Sequence, residues 1–138
     1  MAIIAWFYLL SCIYRVFMYY RFMKDAPILT STYLATLYTA FKQIPPFTQF
    51  KLPPASKVKF VITKSKARYG RFDSEAMAIE VSAYSCGHFN TIISVLLHEM
   101  THMALFIVKD PGWARHGTAF WKIKHQYSNM YNLDHRAI

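Results

Sequence analysis

The sequence predicts an α+β domain, and three observations carry that prediction. Apolar residues recur at helical spacing from Tyr33 to Ile44, the runs Lys57–Thr63 and Met77–Ser82 alternate apolar with polar side chains, and the stretch from Asn90 to Lys109 is apolar around nearly its whole circumference. The expected order is an N-terminal helix, a small antiparallel-containing sheet, a buried helix and a C-terminal helix. At 138 residues the chain is long enough to bury a core without disulfides. With 54% hydrophobic residues, four glycines and no low-complexity tract, its composition excludes a disordered protein.

Residues 1–23 stand apart from this scheme. Met1 to Tyr14 carries no charge, and then Arg15 and Arg21 interrupt an aromatic run. The uncharged stretch is shorter than the roughly 20 apolar residues of a spanning helix, and it lacks the positive start of a signal peptide. Three readings fit: a helix packed on the domain, a membrane-surface or poorly spanning anchor with Arg15, Arg21 and Lys24 on the cytoplasmic side, or an over-extended start with initiation at Met23. The globular domain is expected to occupy residues 24–138.

Each element has a local cause. Thr30 or Ser31 can cap a helix whose apolar positions are Tyr33, Leu34, Leu37, Tyr38, Phe41 and Ile44, and Pro45-Pro46 ends it because proline lacks the amide proton. In the first strand Val58, Phe60 and Ile62 face one way and Lys57 and Lys59 the other. In the second, Met77, Ile79 and Val81 oppose Ala78, Glu80 and Ser82. Between them Lys64, Lys66, Arg68 and Arg71 interleave with Tyr69 and Phe72. Asn90 is the expected cap of the central helix, which Asp110-Pro111-Gly112 breaks. A last helix starts near Thr118, with Phe120, Ile123, Tyr127 and Met130 or Tyr131 on one side.

The central helix carries the chemistry. A helix apolar all round is a buried helix, yet this one places His98, Glu99 and His102 in its middle. An unpaired buried carboxylate costs several kcal/mol, a large part of a small domain's stability. A bound dication is the economical compensation. Residues i and i+4 lie one above the other, so two imidazoles can converge on one ion, and Glu99 falls beside a metal-bound water rather than on the metal. With six His and three Glu in 138 residues, chance produces His-Glu-x-x-His in roughly one such chain in two hundred. The expected cofactor is one zinc ion, since Cys12 and Cys86 form no Cys-x-x-Cys pair and leave histidine and carboxylate as ligands. Two isolated cysteines read most simply as reduced thiols of a cytoplasmic protein.

A catalytic zinc site needs a third protein ligand. Val108 occupies the position six residues after His102, and no glutamate follows Glu99, which leaves Asp110, His116, His125, Asp134 and His135. His116 is favoured: it follows the Pro111-Gly112 turn, where the chain has reversed and can point back at the helix. His88 and His135 read as surface residues.

LLHEMTHM at 96–103 followed by RHGTAFWK at 115–122 resembles the SprT-like domain, the protease module of the Spartan group. FKLPP at 50–54, KVKFVI at 57–62, ARYGRF at 67–72 and MAIEVS at 77–82 resemble the order of that family's upstream segments, so the likeness covers about residues 30 to 131. It implies a compact zincin-like fold and a zinc-dependent protease whose relatives act on proteins bound or crosslinked to DNA. By position it assigns metal binding to His98, His102 and His116 and catalysis to Glu99. Many relatives carry a second zinc-binding module, for which residues 1–138 hold no cysteine set, and the apolar N-terminus is not part of the pattern.

Sixteen Lys and Arg against seven Asp and Glu, a net charge of +9, favour a polyanionic neighbour. Lys64, Lys66, Arg68 and Arg71, interleaved with rings, are the expected DNA contacts of a DNA-associated protease. A membrane-tethered peptidase held by residues 1–23 and a non-catalytic zinc-stabilised module are the competing expectations. By fold analogy a protein substrate should lie extended along a sheet edge, expected at Met77–Ala83. Tyr69, Arg115 and Tyr127 remain equal candidates for stabilising an oxyanion.

Overall fold

A computed structural model describes residues 29–134, so the expectations for residues 1–23 and for His135 lie outside the described residues. Three helices and one three-stranded sheet make up an α+β fold: α1 Ser31–Phe41, β1 Lys59–Thr63, β2 Gly70–Asp73, β3 Ala78–Ser82, α2 Phe89–Ile107 and α3 Thr118–Tyr131.

Thr30 caps α1, its hydroxyl accepting from the Tyr33 amide at 3.1 Å. Leu34 and Tyr38, one turn apart, are fully buried. The helix stops at Phe41, short of the expected Ile44, which is 39% exposed in the following turns. There Lys42 Nζ donates to the Leu52 and Pro53 carbonyls and the Tyr38 hydroxyl donates to Pro53, which fastens α1 to the chain before the sheet. The first strand begins at Lys59 rather than Lys57, because Ala55–Lys57 forms a 3-10 turn.

The sheet order is β1-β3-β2, with β1 parallel and β2 antiparallel to β3. This corrects the expected substrate edge: Met77–Ala83 does not offer a sheet edge, because β3 is the central strand, paired on both sides, and both Ala78 and Ser82 are buried. Ser82 satisfies its hydroxyl by donating to the Ser65 carbonyl at 2.6 Å. The basic run also contains an unforeseen strand, β2. It turns into β3 through Asp73, whose Oδ1 accepts from the Glu75 and Ala76 amides, and through Met77 at φ 47°.

Helix α2 runs beneath the sheet and between α1 and α3. Its start falls at Phe89, with His88 at the cap position and no side-chain cap bond, so Asn90 lies inside the helix. Ile92, Val95, Leu96, Leu97, Met100, Met103 and Leu105 join Ile79 and Val81 of the sheet and Phe120, Ile123 and Tyr127 of α3 in one core. Among the described residues α2 is the helix long and apolar enough to cross a membrane, and 67% of its apolar window is buried inside the domain. Lys109 ends it in the left-handed conformation (φ 59°), and the chain turns back through Asp110, whose amide reaches the Leu105 carbonyl.

Candidate metal centre

His98 and His102 lie on α2 facing the start of α3, Glu99 on the same helix reaches β2, and the reversal after Lys109 brings His116 back over the two rings. The three Nε2 atoms form a nearly equilateral triangle: 3.3 Å from His98 to His102, 3.0 Å from His98 to His116 and 3.2 Å from His102 to His116. Phe120 packs under all three rings, with centroids 4.4–4.8 Å away. His98 is buried, His102 half-buried and His116 exposed, so the triangle opens on one side.

The tautomer of His102 follows from its partner. Nδ1 lies 2.7 Å from the Trp113 carbonyl, which only accepts, so the ring proton is on Nδ1 and the Nε2 lone pair points into the triangle. Three converging ring nitrogens at this spacing cannot all satisfy one another. An ion binding imidazole nitrogens at about 2.0–2.1 Å in tetrahedral geometry requires nitrogen separations of about 3.3–3.4 Å. The observed triangle is within a few tenths of an ångström of that requirement, so His98, His102 and His116 are positioned to bind a metal ion.

The electrostatics agree. Burial pushes the His98 imidazole down to about 3, reinforced by His102, His116 and Lys124. Burial also lowers His102 and His116. The rings are therefore held neutral, the form that ligates metal. Glu99, 5% exposed, is pushed up to about 8 by burial, against the Phe72 amide that donates to its carboxylate, with Glu80 adding a small upward push. A dication beside it would favour the ionised form.

Two contributors to this site had escaped sequence reasoning. The first is Gly70. A Cβ there would lie 2.5 Å from Val95 Cγ1 and 2.9 Å from both the Glu80 carbonyl and Glu99 Oε1, so glycine is what lets β2 approach the helix and the carboxylate. The second is backbone: the Phe72 amide on Glu99 and the Trp113 carbonyl on His102. Only Gly70 left a trace in the sequence, as one of four glycines, set within the basic run.

A cleft of about 310 Å³ opens over the centre, lined by Arg68, Gly70, Phe72, Glu99, His102 and Trp113 among others. The other sequence candidates fall elsewhere. Asp110 accepts from the Gly112 amide at 2.7 Å, and His125 lies against the Trp121 ring. Asp134 lines a narrow space behind His98 with Ser94, Lys124 and Ser128. Tyr127 is buried and bonded to Thr101, which removes it from any substrate-facing role, whereas Tyr69 and Arg115 are exposed. Lys64, Lys66 and Arg68 are exposed, with Lys66 Nζ 4.9 Å over the Tyr84 ring. Arg71 donates to Asp73 and stands opposite Glu80 in register, so it is the most neutralised member of the basic run.

A model of the SprT-like family matches residues 37–136, a span that holds all three strands, α2, α3 and every histidine of the triangle. No curated protein and no solved structure matches the chain. The match covers well over half of the sequence and encloses the metal centre, and the chain belongs to the SprT-like family.

Proposed function

We propose that this protein is a zinc-dependent metalloprotease in which His98, His102 and His116 hold one zinc ion and Glu99 is the catalytic base. The observation that carries the reading is the three-nitrogen triangle, open on one side, with a buried carboxylate beside it on the same helix. Three imidazoles and an open fourth position are the donor set of a hydrolytic zinc site. Zinc bound there supplies a water whose pKa falls toward about 7 and polarises a carbonyl oxygen.

The chain's own groups divide the remaining work. Glu99 takes the proton of the attacking water and passes it to the departing amine, while the Phe72 amide fixes the orientation of its carboxylate. The Ser82 amide donates to the Tyr69 carbonyl at 2.7 Å, which sets residues 69, 71 and 73 toward β3 and leaves the main-chain groups of Gly70 and the Phe72 carbonyl on the outer edge, next to the cleft. An extended substrate segment laid along that edge pairs through its own backbone, which gives weak sequence preference. Burying α2 around the site keeps water away from one side of Glu99 and strengthens each of these interactions.

The substrate class is protein, including protein held on DNA. The net charge of +9 and the exposed Lys64, Lys66 and Arg68, the last on the rim of the cleft, support the DNA association. The test is hydrolysis of an unfolded protein by the purified chain, measured with metal content. Wild type should contain about one zinc per chain and lose activity to a chelator. Glu99→Gln should keep its zinc while cleavage falls by about 10²–10⁴-fold. Undiminished cleavage by that variant would remove Glu99 from the mechanism.

A further inference from the structure

The rings of Phe72, Phe106 and Trp113 meet edge to face in one cluster. Phe106 and Trp113 are 5.1 Å apart at 71°, Phe72 and Trp113 6.0 Å at 79°, and Phe72 and Phe106 5.8 Å at 61°. Each ring belongs to a different element: β2, α2 and the segment between α2 and α3. Two of the three residues also act on the site through their main chains. Phe72 donates its amide to Glu99, and Trp113 accepts from His102 Nδ1.

Main-chain anchors around Trp113 are few. Its amide donates to the Asp110 carbonyl at 3.1 Å, the Asp110 side chain accepts from Gly112, and the Arg115 amide donates to Gly112. These three bonds lie within the segment itself; its main-chain ties to α2 are the Asp110 amide on the Leu105 carbonyl and the Trp113 carbonyl on His102 Nδ1, and none of these bonds reaches β2. The Trp113 indole adds the connection to β2 and a second hold on α2, packing against both Phe72 and Phe106. His116 follows three residues later on the same stretch.

We propose that Trp113 is the positioning residue of the metal centre: its indole, clamped by Phe72 and Phe106, sets its own carbonyl against His102 and holds the stretch that delivers His116. This rests on the metal-binding reading of the three histidines. Partners that orient a ligating histidine typically change metal affinity by about 10–100-fold when lost. The carbonyl itself survives any substitution at 113. What the side chain contributes is its placement.

The experiment uses the full chain with zinc alone as the probe, in competition with a chromophoric chelator, on wild type, Trp113→Phe, Trp113→Leu and Phe106→Leu. Trp113→Leu should bind zinc about 10–100-fold more weakly, and Trp113→Phe should stay within a few-fold of wild type. Phe106→Leu leaves the indole held by Phe72 alone, so it should lower the melting midpoint and weaken zinc binding by less than Trp113→Leu does. In the metal-free proteins, the exchange-protected His102 Nδ1 proton seen by imidazole nitrogen NMR should persist in wild type and Trp113→Phe and vanish in Trp113→Leu. The proposal is overturned if Trp113→Leu binds zinc as wild type does, or if it and Phe106→Leu lose affinity in step with their melting midpoints. A wild-type chain that binds no zinc would instead bring down the metal-centre reading, and this inference with it.

Discussion

Gly70→Ala isolates the close approach between β2 and α2, the helix that carries His98, Glu99 and His102. Gly70 has no positive φ, so alanine meets no backbone strain there. In an open strand position the change would stabilise by about 0.4–1 kcal/mol through the unfolded state. Here the new methyl lies 2.5 Å from Val95 Cγ1, 2.9 Å from the Glu80 carbonyl and 2.9 Å from Glu99 Oε1. Val95 is fully buried and Glu80 belongs to the central strand, so neither gives way easily. Restoring ordinary van der Waals separation requires β2 to retreat by roughly an ångström, an overpacking cost of about 1–3 kcal/mol. For a chain of this size that is a fall of about 3–12 °C in Tm. The same retreat lengthens the Phe72 amide bond to Glu99, and an ångström of misplacement costs up to about 10²-fold in rate. Zinc affinity should fall by less than the rate, because the retreat reaches the histidines only through Phe72 and Trp113. Thermal melts by circular dichroism, chelator competition and peptide hydrolysis read the three quantities separately. A Gly70→Ala protein that melts at or above wild type and hydrolyses peptides at the wild-type rate would refute the close-approach argument.

Three further outcomes follow from the site and its surroundings. His116→Ala should weaken zinc binding by more than about 10²-fold while the fold persists, because that ligand is exposed and lies outside the core; chelator competition with a melting curve checks both. In metal-free protein, Glu99 holds its proton more tightly when folded, with a pKa of about 8 against an ordinary 4.5. Wild type should therefore lose stability relative to Glu99→Gln as pH rises from about 5 to 8, by a few kcal/mol in order of magnitude, and parallel denaturation curves across that range would exclude the effect. For DNA, neutralising Lys64, Lys66, Arg68 and Arg71 should lower the slope of log affinity against log salt by about 0.7–0.9 for each phosphate the protein no longer neutralises, with Arg71 contributing least because Asp73 already engages it. Binding indifferent to salt and to these changes would end the DNA proposal.

The parts of this protein that were legible in the sequence are those whose signal is side-chain type at a fixed period. The i, i+4 histidines on an all-apolar helix, and a third histidine after a Pro-Gly turn, specify a meeting point before any coordinates exist. β2 carries no such signal. Gly70–Asp73 holds one apolar residue, Phe72, and becomes a strand because β3 offers it an open ladder. β3 differs for the converse reason: Ala78 and Ser82 alternate with Ile79 and Val81, yet both faces of the strand are covered, and Ser82 is buried with its hydroxyl on the Ser65 carbonyl. The Phe72 amide and the Trp113 carbonyl were invisible in principle, since every residue type supplies a carbonyl and all but proline an amide. Only the fold selects which of them reaches a functional atom.

The reversal after α2 has a consequence for what the chain tolerates. From the left-handed Lys109 to His116, eight residues act as a ruler between a rigid helix end and the nitrogen triangle. One inserted residue spans up to about 3.3–3.6 Å, as much as the whole side of the nitrogen triangle, so an insertion there would carry the imidazole out of register altogether. Tags, labels or grafted recognition segments therefore have no place between the end of α2 and His116.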